Sequence, residues 1–280
     1  MIKKITAKII NIFYNTPRIL FVNYYKLLTR TKVFNIKRIP EGKSAIFAIN
    51  HITGADPIII LGVLKKKIYF LAESENFRNR FTNFFMRKFT NSIPIFKKEF
   101  MKNIRSFKEL FSISDKKNIF LGIFPEGNLN KKEKLGKFHK GAAYFSYKTK
   151  LPIVPVYIHN LLKGPGEKRW IGRNNVVEGI IALTINTFRK IHIFIGKPID
   201  PMAENIIEDF KDLTDKKACK QITENIHKAL LDEFLELENE ADKLFGTPES
   251  EDSEDNAFLE SDQEDMTNED FILKATSIKE

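Results

Sequence analysis

The stretch Ser44-Ala45-Ile46-Phe47-Ala48-Ile49-Asn50-His51-Ile52-Thr53-Gly54-Ala55-Asp56-Pro57-Ile58-Ile59-Ile60-Leu61 sets the fold class of this chain. Its first six residues form an apolar run whose β-branched and aromatic content reads as a buried strand. Residues 58–61 read as the wall of a helix. His51 therefore sits at a strand-to-helix turn, five positions before Asp56. On a regular helix five residues are about 1.4 turns, which points two side chains apart, so the pair meets only where the chain bends; Gly54 is the residue expected to allow it. In such a turn Asp56 reaches an imidazole nitrogen, fixes its tautomer and stabilises its charged form, which makes a general base with its orienter. A capped helix start is the plainer use of the same residues.

Further along, Ile119-Phe120-Leu121-Gly122-Ile123-Phe124-Pro125-Glu126-Gly127-Asn128 is a second buried strand, ending in a carboxylate and a glycine. That places Glu126 and Gly127 at a strand's C-terminal end, where open α/β sheets bind ligands. Between the two blocks, Ile93-Pro94-Ile95-Phe96-Lys97-Lys98 is a short strand running into two cations. After them comes Leu151-Pro152-Ile153-Val154-Pro155-Val156-Tyr157-Ile158.

These four blocks, in this order and spacing, resemble the glycerolipid acyltransferase family, which includes the 1-acyl-glycerol-3-phosphate (lysophosphatidate) acyltransferases. His51 and Asp56 match the family's His-x4-Asp motif; Lys97 falls where the second motif has a phosphate-binding arginine; Phe124 to Gly127 match the third and Pro152 to Pro155 the fourth. Lys140-Gly141-Ala142-Ala143 and Ile195-Gly196-Lys197-Pro198-Ile199 also look like the family, so the resemblance covers roughly residues 35 to 200. It implies that Glu126 and Gly127 help bind a glycerol phosphate acceptor, the glutamate by accepting a hydroxyl hydrogen bond and the glycine by letting backbone approach. Lys97 would neutralise the phosphate, with Lys98, Lys131 and Lys132 as supports. Two departures stand out. The third motif continues as Asn128-Leu129-Asn130 instead of a small hydroxyl residue and an arginine, and Phe96 replaces an acidic residue before the second-motif cation. Lysine neutralises a phosphate but does not grip it with a planar fork.

The chain has 280 residues, enough for one substantial core, and its alternation of strand-like and helical stretches favours α/β: a single central mixed sheet flanked by helices. We expect an acyltransferase domain over residues 33–246. Cys219 is the only cysteine, so an intramolecular disulfide and a cysteine zinc cluster are excluded, and it lies in a helical stretch away from all four blocks. With no Gly-x-Ser-x-Gly elbow, direct transfer is favoured over a covalent acyl-enzyme. His139, His159, His192 and His227 make no ligand pair at helical spacing, so no metal site is expected.

Charge is split along the sequence. Residues 247–280 hold 12 acidic and 2 basic residues, which leaves residues 1–246 with 44 basic against 24 acidic, a net of +20. A positive body suits anionic partners. The acidic segment, with scattered apolar residues such as Phe258 and Leu259, is expected to be a disordered tail.

The first 40 residues carry nine Lys or Arg and no acid. Ile2, Ile5, Ile9, Ile12 and Phe13 recur at helical spacing, and so do Leu20, Tyr24, Leu27 and Leu28; Thr16 and Pro17 separate the two sets as N-cap and first helical position. Each helix would be about 14 residues, or roughly 20 Å, too short for a hydrocarbon layer of about 30 Å. Residues 1–32 are thus expected to form an amphipathic two-helix motif lying in the membrane interface. Lys8 and Arg18 interrupt any apolar core of a signal peptide. At the other end, Lys211 to Phe245 reads as one amphipathic helix, with Ile222, Ile226, Ala229, Leu230, Phe234, Leu237, Ala241 and Leu244 on its inner face.

The implied function is acyl transfer from acyl-CoA or acyl-carrier protein to the hydroxyl of 1-acyl-glycerol-3-phosphate, giving phosphatidate, without a cofactor. The expected setting is the cytoplasmic face of the cell membrane, with anionic phospholipid as partner and no nucleic acid. The same chemistry on glycerol 3-phosphate or another lysolipid is the nearest alternative. A non-catalytic basic protein binding membrane or nucleic acid is a different class, and it has no use for His51 with Asp56.

Overall fold

In the computed structural model the described residues are 20, 23–64, 66–96, 118–127, 129, 135–161, 175–207 and 216–246. They build one seven-stranded mixed sheet in the order β1-β7-β6-β2-β5-β3-β4. The strands are β1 (Lys32–Phe34), β2 (Ala45–Ile49), β3 (Ile68–Glu73), β4 (Ser92–Ile95), β5 (Phe120–Ile123), β6 (Ile153–His159) and β7 (His192–Ile195). All neighbours are parallel except β6 and β7. The expected mixed sheet flanked by helices is what the chain forms.

Strand β2 sits near the middle, with Ala48 opposite Ile123 of β5 and opposite Pro155 of β6. Every residue of β2 is buried, as expected of a strand covered on both faces. Pro94 falls in β4 at the sheet's edge, where a missing N–H costs no ladder bond.

The helices in chain order are α1 (residues 23–28), α2 (Asp56–Leu64), α3 (Arg80–Phe84), α4 (Gly141–Thr149), α5 (Asn175–Ile185), α6 (Glu204–Ile207) and α7 (Lys216–Phe245). One face of the sheet packs on α2, with Tyr25 of α1 and Ala182 and Leu183 of α5 in the same apolar cluster. The other face packs on α4 and α7. Helix α2 is apolar all round because it is buried all round: apart from Pro57, each of its residues is buried. Helix α7 lays Ile222, Ile226, Leu230, Phe234, Leu237 and Ala241 on the sheet, all but fully buried. Leu244, expected on that inner face, instead lies 56 % exposed in the last turn, where Phe245 is the residue that meets the sheet, against Phe34 and His192. Residues 211–215, the proposed start of this helix, lie outside the described residues, as do residues 1–19 and the acidic segment 247–280.

Candidate active site

Strand β2 is stopped by Asn50. Its side-chain amide donates to the Ile158 carbonyl at 3.0 Å while its oxygen accepts the Ile158 amide at 2.7 Å, so one side chain takes the place of a strand partner and pins the end of β2 to β6. Residues 51–55 are neither strand nor helix, and α2 begins at Asp56.

Four donors converge on the Asp56 carboxylate, which is fully buried. Oδ2 accepts the Ile52 amide at 2.7 Å and the Thr53 amide at 3.1 Å, and meets His51 Nδ1 at 3.0 Å. Oδ1 accepts the Thr53 hydroxyl at 3.0 Å, and that hydroxyl in turn accepts the Ala55 amide at 3.0 Å. Such saturation is what a carboxylate needs to be tolerable without water. It is also what bends the chain. Among the described glycines only Gly42, Gly127 and Gly246 have positive φ, so the turn does not depend on a left-handed Gly54; Asp56 folds residues 52–53 back around its own carboxylate. The tight spot lies behind the turn: a Cβ on Gly179 of α5 would stand 2.9 Å from the Gly54 carbonyl oxygen.

The His51 ring keeps 18 % of its side chain accessible and stacks on Phe124, with centroids 4.0 Å apart and planes at 21°. A carboxylate can only accept, so Nδ1 carries the proton that it shares with Asp56, and Nε2 is left as the basic nitrogen.

Glu126 stands at the end of β5, next to β2. One of its oxygens accepts the His51 amide at 2.8 Å and the other accepts the Gly136 amide at 3.0 Å. Burial pushes its carboxyl above the usual range, while these two amides and the His51 ring pull it back. Gly127 follows at φ 71°, its amide bonded to the Phe124 carbonyl at 3.0 Å in a tight turn, and a Cβ there would press on the His139 ring at 3.1 Å. Helix α7 joins the site from outside: Glu238 accepts the Leu135 amide at 3.3 Å, beside the Gly136 that Glu126 holds.

His51, Asp56, Glu126 and Gly127 thus meet at the C-terminal rim of β2 and β5. Lys97, Lys98 and Lys131 lie outside the described residues. Among the described residues no three His, Cys, Asp or Glu side chains form a group able to hold a metal ion. Asn50, Thr53, Phe124 and Glu238 have positions in the site that the sequence reading did not assign. Asn50 left a signal, as a polar residue closing an apolar run, and Phe124 left one as the first residue of the third motif.

A family model described as "Acyltransferase" matches residues 30–159, which span all four blocks and the whole His51–Glu126 arrangement. A curated relative, the 1-acyl-sn-glycerol-3-phosphate acyltransferase of Bacillus subtilis, is 26 % identical over 214 residues, covering 76 % of this chain and 90 % of its own length. The enzyme of the same name from Cocos nucifera is 31 % identical over 115 residues, 41 % of this chain and 37 % of its own. The solved structure of the 1-acyl-sn-glycerophosphate (LPA) acyltransferase PlsC from Thermotoga maritima superposes at TM-score 0.44 and 18 % identity, over 82 % of this chain and 93 % of that one. The first and third of the ordered motifs meet at one rim, the chain is similar over residues 30–159 to the Acyltransferase family model and over more of its length to the Bacillus subtilis enzyme, and it is an acyltransferase.

Proposed function

We propose that the chain transfers an acyl group from a thioester, acyl-CoA or acyl-carrier protein, to the free hydroxyl of 1-acyl-glycerol-3-phosphate. The observation that carries this reading is the 3.0 Å contact of His51 Nδ1 with a buried, fully bonded Asp56. His51 Nε2 takes the proton of the acceptor hydroxyl as its oxygen attacks the thioester carbonyl. The carbon–oxygen bond forms, the carbon–sulfur bond breaks, and the thiol leaves with a proton. Asp56 compensates the imidazolium in between, and a positioned base of this kind is worth about 10² to 10⁴ in rate. Phe124 on one ring face and Asp56 on one edge hold the imidazole in a single orientation. The names of the two curated relatives support lysophosphatidate as acceptor.

Glu126 and Gly127 border the acceptor side in this reading, and Lys97, with Lys98 and Lys131, supplies the phosphate's counter-charge. Among the described residues no helix is long and apolar enough to cross a membrane, which suits attachment through the interface by α1 and the residues before it.

The test is turnover of a labelled acyl thioester with lysophosphatidate, glycerol 3-phosphate and other lysolipids in parallel. His51→Ala abolishes transfer while the circular dichroism spectrum is kept, and Asp56→Asn lowers kcat severely. Lys97→Ala raises KM for the acceptor far more than for the donor. Near-normal turnover by folded His51→Ala overturns the mechanism; preference for another acceptor overturns the substrate and spares the chemistry.

A further inference from the structure

Residues 74–91 link β3 to β4 and begin at the rim that carries His51. Asn79 caps α3 by accepting the Thr82 amide at 2.7 Å, and a π-helical turn, Phe85–Phe89, follows. The segment has an inner side: Thr82 and Met86 are buried, and Phe85 packs into the apolar cluster beneath α2. Its outer side is unusual for a globular surface. Phe81 is 66 % and Phe84 48 % exposed, three positions apart and so on one face of the helix. Arg78, Arg80, Arg87 and Lys88 are exposed around them, and no acidic residue occurs between Asn76 and Phe96. The Arg87 guanidinium lies over the Phe77 ring, 5.4 Å from its centroid, so its charge sits among aromatic groups. Aromatic side chains set among four cations, with Glu75 the one acid of the segment, suit the boundary of an anionic leaflet, where rings enter the acyl layer and the cations meet phosphate.

We propose that residues 78–88 form a second lipid-contact patch, separate from the N-terminal helices, that docks on anionic phospholipid through Phe81 and Phe84. Phe85 of this segment and Tyr25 of α1 enter the same apolar cluster, so both contacts lie on the α2 face of the sheet. Two separated contacts fix orientation where one leaves the enzyme free to tilt, and together they hold the His51 rim at a constant attitude to the bilayer that supplies its substrate. The proposal rests on the membrane-lipid reading of the site.

The full chain is tested for co-sedimentation with vesicles of phosphatidylcholine alone and with about one-third phosphatidylglycerol. Phe81→Ser/Phe84→Ser and, separately, Arg80→Gln/Lys88→Gln lower partition onto the anionic vesicles by about tenfold. The charge variant's deficit disappears at high salt. Turnover of a water-soluble short-chain lysophosphatidate stays unchanged in both, because neither touches the site. A Phe81→Trp protein adds fluorescence, relative to the parent chain, that brominated lipid quenches; this reads insertion directly should the serine variant misfold. Equal partition of folded variants, absence of quenching, or a dimer in solution that Phe81→Ser/Phe84→Ser breaks up overturns the proposal. Vesicle binding that depends on the patch in a protein that acylates no glycerolipid would refute the functional reading alone.

Discussion

The Glu126 carboxylate spans two chain segments: it accepts the His51 amide at 2.8 Å and the Gly136 amide at 3.0 Å, tying the base's backbone to the loop beyond β5. The family resemblance assigns Glu126 to a substrate hydroxyl; the geometry gives both its oxygens backbone work first. In Glu126→Gln one end of the side chain becomes a donor facing an amide donor. A buried amide left without an acceptor costs about 1–3 kcal/mol. We expect the melting temperature to fall and kcat to fall with it, whereas loss of a substrate contact alone would raise KM at unchanged stability. Kinetics and thermal denaturation of the one variant separate the two roles.

Gly179 is the point where α5 touches the His51–Asp56 turn. A methyl group there meets the Gly54 carbonyl at 2.9 Å, closer than real contacts allow, and the obstacle is backbone. Gly179→Ala gains up to about 1 kcal/mol in helix propensity. Overpacking costs about 1–3 kcal/mol and dominates. The expected result is a lower urea midpoint together with reduced turnover, since the turn that shifts carries the base. A more stable Gly179→Ala protein would show that α5 can slide off without disturbing residues 51–55.

How far the sequence discloses the fold and site follows from what each feature depends on. Strands β2, β5 and β6 are apolar runs of the right length with polar or proline-containing ends, so local pattern suffices. The nearness of His51 to Asp56 is legible too, but its cause is not. The bend expected at Gly54 is produced by the Asp56 side chain gathering four donors from residues 51–53, a side-chain-to-backbone geometry that the residue types alone do not specify. Glu126 and Glu238 are less legible still, because a carboxylate that binds backbone amides distant in sequence selects no particular residue type at the other end. For Lys97, Lys98 and Lys131 the family resemblance alone speaks.

His159 and His192 form a buried pair far along the sheet, with ring centroids 6.0 Å apart, under Phe245 and the end of α7. Burial lowers both pKa values from 6.5; His159 and the cations Lys32 and Lys190 depress that of His192 further, while the Gly246 carbonyl and Asp242 partly restore that of His159. With folded values below unfolded ones, the stabilisation of the neutral rings is complete above about pH 6.5 and is lost as pH falls through the window down to the folded values, where the unfolded chain binds protons first. Urea midpoints should therefore drop as pH falls below about 6.5. His192→Phe, placed among Phe34, Phe194 and Phe245, should flatten that slope; an unchanged slope would assign it to other groups.

Helix α1 divides its residues cleanly. Tyr25 is buried and its hydroxyl donates to the Leu183 carbonyl at 2.9 Å, which anchors the helix to α5. Tyr24 and Leu27 are 62 % and 74 % exposed, three positions apart and so on one side, and Leu20, ahead of the helix, is 64 % exposed. Packing on the protein's own core leaves no reason for that stripe, whereas insertion into a leaflet does. Lys26 and Arg30 add attraction of about 1 kcal/mol each near an anionic surface. Deleting residues 1–30 would also remove Tyr25 and so mix anchoring with stability. The cleaner variant is Leu20→Ser/Tyr24→Ser/Leu27→Ser, which should lose at least about tenfold in vesicle affinity, since a fully buried leucine alone is worth about 1.5–3 kcal/mol. Its melting temperature and its turnover of a water-soluble acceptor should stay near the parent's. Tyr25→Phe should do the reverse, losing stability and keeping vesicle binding. Flotation with phosphatidylglycerol vesicles decides it: undiminished flotation of the folded triple variant would place the anchor outside α1.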